Sequence, residues 1–295
     1  MSASIRIQAG VTRLTGVLAL IALTAWVAQA QPSEEEGQGT PVMQTLTFGI
    51  VPQQSAQKLA RLWTPILERI SRESGVKIAF MTAKDIPTFE QRLSEGKYDI
   101  AYMNPYQYPR YHDMIGYLPL VKAKNKLIKG IVVVRNDSPL TSLEALKGSE
   151  VAFPSPNAFG ASILTRFAFK ASGTDIIPVY VSTHDSVYRN VAAGRIKAGG
   201  GVLRTFNSVA PEVKDRLKII FTTKGYTPHA IAVLPEVPQE IAETIQKALI
   251  NLESDEAGAS LLKNLNIVGF EAATDSDWDD VRLFDINELQ VQDMQ

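Results

Sequence analysis

From residue 45 onward, short apolar runs alternate with stretches of helical periodicity, and this alternation narrows the folds open to the chain more than any other feature. Strand-like runs at 46–51, 76–81 and 98–103 enclose helical patterns at 56–74 and 88–95. The arrangement then repeats, with runs at 131–135, 151–153 and 179–182 alternating with patterns at 142–147, 161–171 and 185–193. Strands separated by helices mark βαβ units, in which a crossover helix covers the sheet and the strands run parallel. A further strand at 230–234 and a helix at 238–251, opened by Pro238 and Glu240, follow the second group. Material of the same class on both sides of that group predicts a unit inserted into the first one. Two segments must then cross between the units, and they are expected at 128–136 and 221–227. Lobes joined in this way can hinge, and open α/β sheets bind ligands beyond the carboxyl ends of their strands, so the cleft between the lobes is the expected site.

The first thirty residues address the compartment. Arg6 and Arg13 precede an almost wholly apolar stretch at 14–28, and Ala28-Gln29-Ala30 forms a small-x-small site. This predicts a secretory signal peptide cut after Ala30, since the apolar run falls short of the roughly 20 residues that span a bilayer. Removing thirty of the 295 residues leaves 265 and, with the two arginines gone, takes the net charge from −1 to −3. A weakly acidic chain without a basic stripe is not built for nucleic acid. Residues 31–44 are polar and acidic and read as a flexible lead-in. The chain has no cysteine, which excludes disulfides, thiolate metal sites, a cysteine nucleophile and a lipidated cysteine. With 45% apolar residues, stability is expected from packing, in a free, monomeric periplasmic protein without a cofactor.

Few motifs suggest chemistry. Gly199-Gly200-Gly201 lacks the spacing of a dinucleotide fingerprint and reads as backbone crowding at a strand end. The acidic run at 275–280 has Asp280 where a calcium loop needs glycine and Ile286 where it needs glutamate, so it reads as acids opening a helix. His112, His184 and His229 do not pair at metal-ligand spacing, and no serine sits in a G-x-S-x-G elbow. An enzyme finds no support beyond the adjacent His184 and Asp185. More telling are four places where a strand runs into a polar turn and a helix: 52–55, 104–106, 155–158 and 182–185. Helix starts leave backbone N–H groups unpaired and hold anions readily. Gln54, Asn104, Ser155 and Asn157 are the candidates in these turns, with Tyr102 and Tyr106 as walls of the pocket.

Phe48-Gly49-Ile50-Val51-Pro52, Trp63-Thr64-Pro65, Gly96-Lys97-Tyr98-Asp99-Ile100-Ala101-Tyr102, Asp137-Ser138-Pro139-Leu140 and His184-Asp185-Ser186-Val187 resemble, in register, the phosphate/phosphite/phosphonate-binding proteins of ABC transporters. The resemblance implies the two-lobed α/β fold of type 2 periplasmic binding proteins, each lobe a mostly parallel sheet flanked by helices and joined by two crossing hinge segments. Residues 45–130 with 226–295 would form one lobe and 131–225 the other. In that family a Ser-Thr-Ser-Gly run holds the oxyanion at a helix start, whereas this chain reads Pro156-Asn157-Ala158-Phe159-Gly160-Ala161. The resemblance therefore leaves the backbone N–H groups of Ala158, Phe159 and Gly160 as donors, with Ser155, Asn157 or Ser162 in place of the hydroxyls. His184 matches a family position beside the anion. Arg204 and His229 stand where relatives that hold aminoalkylphosphonates place acids, which disfavours an amine and suits a plain anion. The implied partner is a membrane permease, with the periplasmic domain of a sensor histidine kinase as the alternative.

Overall fold

The structure, a computed structural model, describes residues 45–284 and Leu289. The predicted signal peptide and lead-in lie outside the described residues. Eleven strands are formed: β1 (Thr45–Ile50), β2 (Lys77–Met81), β3 (Ile100–Met103), β4 (Leu118–Ala123), β5 (Gly130–Arg135), β6 (Glu150–Phe153), β7 (Ile177–Tyr180), β8 (Ala198–Val202), β9 (Leu217–Thr222), β10 (Ala230–Val233) and β11 (Phe270–Ala272). The helices are α1 (Ala56–Ser74), α2 (Ile86–Ser94), α3 (Gln107–Ile115), α4 (Leu164–Ala171), α5 (His184–Ala192), α6 (Leu203–Asn207), α7 (Pro211–Lys214), α8 (Gln239–Asn251), α9 (Glu256–Asn264) and α10 (Asp279–Arg282). The helical pattern at 142–147 yields only a 3₁₀ turn, Glu144–Leu146.

The strands form two sheets, in the orders β11-β4-β10-β3-β1-β2 and β7-β6-β8-β5-β9. The class is α/β with two lobes, but the expectation of mostly parallel sheets is corrected: both are mixed. β1 pairs in parallel with β2 and β3, and β6 with β7 and β8. All other pairs are antiparallel. The cause is connectivity. The chain returns to the first sheet as β10, which inserts between β3 and β4 and opposes both. β5 and β9 carry the chain into and out of the second sheet side by side, so they oppose each other too. Just outside them Ile128 and Tyr226 exchange backbone hydrogen bonds of 2.8 and 3.0 Å, which couples the two connections between the sheets.

In β5 the period of two along a strand sorts a β-branched run onto two faces. Ile131 and Val133 meet Tyr188, Val191 and Phe206, while Val132 and Val134 meet Leu146, Phe153 and Phe169. The larger core spans the first sheet and continues through Ile128 into Phe159, Ile163, Leu164 and Val202 of the second lobe.

The glycine triplet lies inside β8, not at its end. A Cβ on Gly200 would stand 2.1 Å from the Ala161 carbonyl oxygen, so glycine is what lets the segment Phe159–Ile163 rest on this strand. That segment is one turn of π-helix leading directly into α4. Gly200→Ala is expected to cost about 3 kcal/mol by overpacking and to lower Tm by roughly 6–12 °C, measurable in a thermal melt.

The acidic run near the C-terminus is structural. Thr274 and Asp277 form a reciprocal cap at the 3₁₀ turn Asp275–Trp278; Asp277 also pairs with Lys122 at 3.0 Å, and Asp275 accepts from the Tyr108 hydroxyl at 2.9 Å.

Candidate ligand-binding site

The carboxyl ends of β1 and β3 meet those of β6 and β8 across the interlobe cleft, and polar turns leaving these strands build the site. After β1 the chain tightens, with Gln53 N–H donating to the Val51 carbonyl at 2.8 Å, and Gln53 becomes a buried side chain between the lobes. Arg204, in α6 directly after β8, donates to Gln53 Oε1. A guanidinium only donates, so this contact fixes the amide: its oxygen faces Arg204 and its NH₂ faces His229 Nε2 at 2.7 Å. That ring nitrogen must accept, which makes His229 neutral with its proton on Nδ1.

His229 is held in place by its neighbours. Its ring stacks on Tyr102 with centroids 4.9 Å apart, and Tyr102 in turn contacts Trp63 at 4.8 Å. The preceding Pro228 carbonyl accepts from Trp278 Nε1 at 2.8 Å. Burial, followed by the charges of Arg204 and His184, pushes the His229 pKa well below the usual histidine value. His184 opens α5, where Thr183 caps the helix by accepting from Ser186 N–H at 3.1 Å. Its backbone N–H donates to the Gln53 carbonyl at 3.2 Å, and its Nδ1 lies 3.2 Å from Thr205 Oγ1. Burial, then Arg204, lowers its pKa to about 3. Both imidazoles are therefore uncharged near neutrality.

Four more hydrogen bonds cross the cleft. Gln54 Nε2 donates to Ser208 Oγ at 3.1 Å, and Lys58 Nζ to the Ser208 carbonyl at 2.8 Å. Asn104 Oδ1 accepts from the Tyr106 and Gln107 N–H groups at 2.9 Å, while its Nδ2 donates to the Asn157 carbonyl at 3.1 Å. Asn157 Nδ2 donates to Glu90 Oε2 at 2.9 Å, and Gln107 Nε2 reaches Glu90 Oε1 at 3.2 Å. Burial raises the Glu90 pKa, an effect partly offset by these two amide donors.

Behind these bridges is a narrow inner space, bounded by Gln53, Asn104, His184 and the helix start Ala158-Phe159-Gly160, with Val51, Ile86, Ile128 and Val202 completing the wall. The Phe159 ring turns away into an aromatic group with Tyr226 and Phe284, at 5.9 and 5.8 Å, so the backbone is what this residue offers. The first turn begins with Ser162 and Ile163 N–H donating to the Ala158 carbonyl. The N–H groups of Phe159, Gly160 and Ala161 have no backbone acceptor among the described residues. Ser155 Oγ and Ser162 Oγ, on either side of them, are buried without a hydrogen-bond partner. A second, larger space of about 130 Å³, open to solvent, is bounded by Tyr102, Arg204, His229, Lys126 and Lys129 among others.

The expected residues separate accordingly. Asn104, Ala158, Phe159, Gly160 and His184 line the inner space; Tyr102 and Arg204 line the outer one. Gln54, Tyr106, Ser155 and Asn157 line neither. Gln54 and Asn157 are engaged in bridging the lobes, and Tyr106 packs half-buried on the first core. Ala158 is corrected as a donor, because its N–H already donates to the Ser155 carbonyl at 3.2 Å. Sequence reasoning missed Gln53, Glu90 and Gln107. Gln53 sits in a turn that was singled out, yet only the direction of one side chain separates it from Gln54. Glu90 looks like any helical surface acid until α3 and Asn157 cover it.

The model of the family described as "ABC transporter, phosphonate, periplasmic substrate-binding protein" matches residues 48–278. The phosphonates-binding periplasmic protein of Escherichia coli (strain K12) is 21% identical over 279 residues, covering 87% of this chain and 78% of that one. A binding-protein component of an ABC phosphonate transporter from Pseudomonas aeruginosa has a TM-score of 0.75 at 18% identity, covering 85% of this chain and 88% of its own. A Prochlorococcus marinus protein in complex with methylphosphonate has a TM-score of 0.77 at 14% identity, covering 84% and 99%. These two likenesses speak for the two-lobed type 2 fold, and the family match runs through both sheets and every bridge across the cleft. The chain thus belongs to the family of periplasmic substrate-binding proteins of phosphonate ABC transporters.

Proposed function

We propose that this protein captures a small tetrahedral oxyanion of the phosphonate class by closing two lobes, 45–130 with 226–295 and 131–225, and delivers it to a membrane permease. The observation that carries this reading is the start of the π-turn and α4. Among the described residues three successive N–H groups there have no backbone acceptor, two of them, Phe159 and Gly160, on residues that border the inner space, and the buried hydroxyls of Ser155 and Ser162 beside this helix start have no partner; an uncompensated buried donor is costly until an acceptor arrives. Gln53, Asn104 and His184 complete a neutral polar lining. The bridges through Gln53, Gln54, Lys58 and Asn157 hold the closed form. Arg204 and His229, and the engagement of both Glu90 oxygens, leave no acid ready for an ammonium group.

Isothermal titration against phosphate, phosphite, methylphosphonate and 2-aminoethylphosphonate tests the reading. Binding to at least one of the first three is expected, with the aminophosphonate weaker than the best of them by roughly tenfold or more. Absence of binding to all four overturns it.

A further inference from the structure

The outer space has a chemistry the inner one lacks. It lies between the connecting segment Lys126–Lys129, the start of α6 at Leu203 and Arg204, and Pro228-His229. Ile128 and Val202 border both spaces, so the two adjoin at these side chains. Three permanent cations, Lys126, Lys129 and Arg204, line the outer space, and no carboxylate does. Several other cations among the described residues are paired with acids. Lys124, two residues before Lys126, pairs with Glu253 at 2.7 Å; Lys122 pairs with Asp277 and Glu271; Arg69, Arg135 and Arg282 each hold an aspartate. Among the described residues the Lys126 and Lys129 side chains have no ion pair or hydrogen bond, and the Arg204 side chain has only the Gln53 amide oxygen.

Like charges gathered in a concavity focus a positive potential that an anion relieves. The inner space, by contrast, is lined by neutral groups, so it supplies hydrogen bonds but no formal charge. A tetrahedral head bound there would have these three cations in the adjoining space. Tyr102, Leu127, Pro228 and Ile267 give the outer space apolar walls that suit a short carbon chain.

We infer that the ligand is a phosphonate bearing a second acidic group, a carboxylate on a short carbon chain, which sits in the outer space against Arg204, Lys126 and Lys129. The inference rests on the oxyanion reading above and goes further by naming the ligand class. The test is isothermal titration of the protein with methylphosphonate, phosphonoacetate and 3-phosphonopropionate. At least one carboxylated compound is expected to bind roughly tenfold or more tightly than methylphosphonate. In the K126A/K129A double variant the ratio of the two affinities is expected to fall toward 1, and in K126R/K129R to persist. Equal or weaker binding of both carboxylated compounds by the unaltered protein overturns the inference and leaves the oxyanion reading standing. A ratio unmoved by K126A/K129A overturns the assignment to this space. Failure of all three compounds removes both readings together.

Discussion

Acidification from pH 7 to pH 5 is expected to strip about 2 kcal/mol from the folded, closed protein through His184, with His229 acting in the same direction. His184 and His229 are buried neutral, and each has a folded pKa below its unfolded one, near 3 for His184 and well below 6.5 for His229. Below about pH 6.5 the unfolded chain takes up protons that the folded chain refuses, so stability rises with pH. The contribution is complete above about pH 6.5 and is lost as pH falls, at about 1.4 kcal/mol per unit for each ring. Arg204 faces both rings and adds to the effect, whereas Glu90, whose pKa is raised by burial, holds its proton more tightly when folded and opposes part of it. Urea unfolding at pH 7, 6 and 5 measures the slope. Because Gln53 and Arg204 join the rings across the cleft, ligand affinity should weaken over the same interval. A flat profile between pH 7 and 5 contradicts the neutral burial of these residues.

Replacing Gln53 with alanine is expected to weaken oxyanion binding about 100-fold. The substitution removes the acceptor of Arg204 and the donor of the buried His229 Nε2 between the lobes. Two polar groups left unsatisfied on closure cost together about 3 kcal/mol, or two decades in affinity. Gln53→Glu separates the two halves of the relay. Its carboxylate keeps an oxygen for Arg204 but presents His229 with an acceptor where the amide donated, so the ring must move its proton from Nδ1 to Nε2 or take up a second one for the contact to survive. A buried carboxylate beside the ring favours the imidazolium, so the glutamate variant should lose less affinity between pH 7 and pH 5.5 than the unaltered protein. Titration of both proteins at both values reads the difference.

Much of the scaffold is legible along the chain because its cues are local. α1 runs over the residues that its periodicity marks: Leu59, Trp63, Ile66, Leu67 and Ile70 fall on one buried face, Ser55 caps the start, and Gly75 at φ 70° ends it. The turns after β1, β3 and β6 are likewise visible as polar punctuation behind apolar runs. What escapes is set by pairs distant in sequence. The Gln53 side chain answers to residues 151 and 176 positions away, and neither contact has a trace in the turn itself. Glu90 is recruited by Asn157, 67 positions on, and only the closed geometry makes it a bridge. The mixed sheets were hidden for the same reason, since the direction of β10 follows from where the chain re-enters. The loss of the family's hydroxyl run was visible. That Phe159 would turn its ring toward Tyr226 and Phe284, leaving only its backbone to the site, was not.

The position of β10 also has a consequence for how the chain comes into being. It lies in the middle of the first sheet, between β3 and β4, yet it is made only after the whole second sheet. A chain emerging N-terminus first must leave a gap at that position while the roughly hundred residues between β4 and β10 are synthesised, a delay of ~5–20 s. During it, β3 and β4 have unpaired edges and the first core cannot close. Such late, non-local completion slows folding. The first lobe, though begun earliest, is therefore the last to close, after the second sheet already has all its strands.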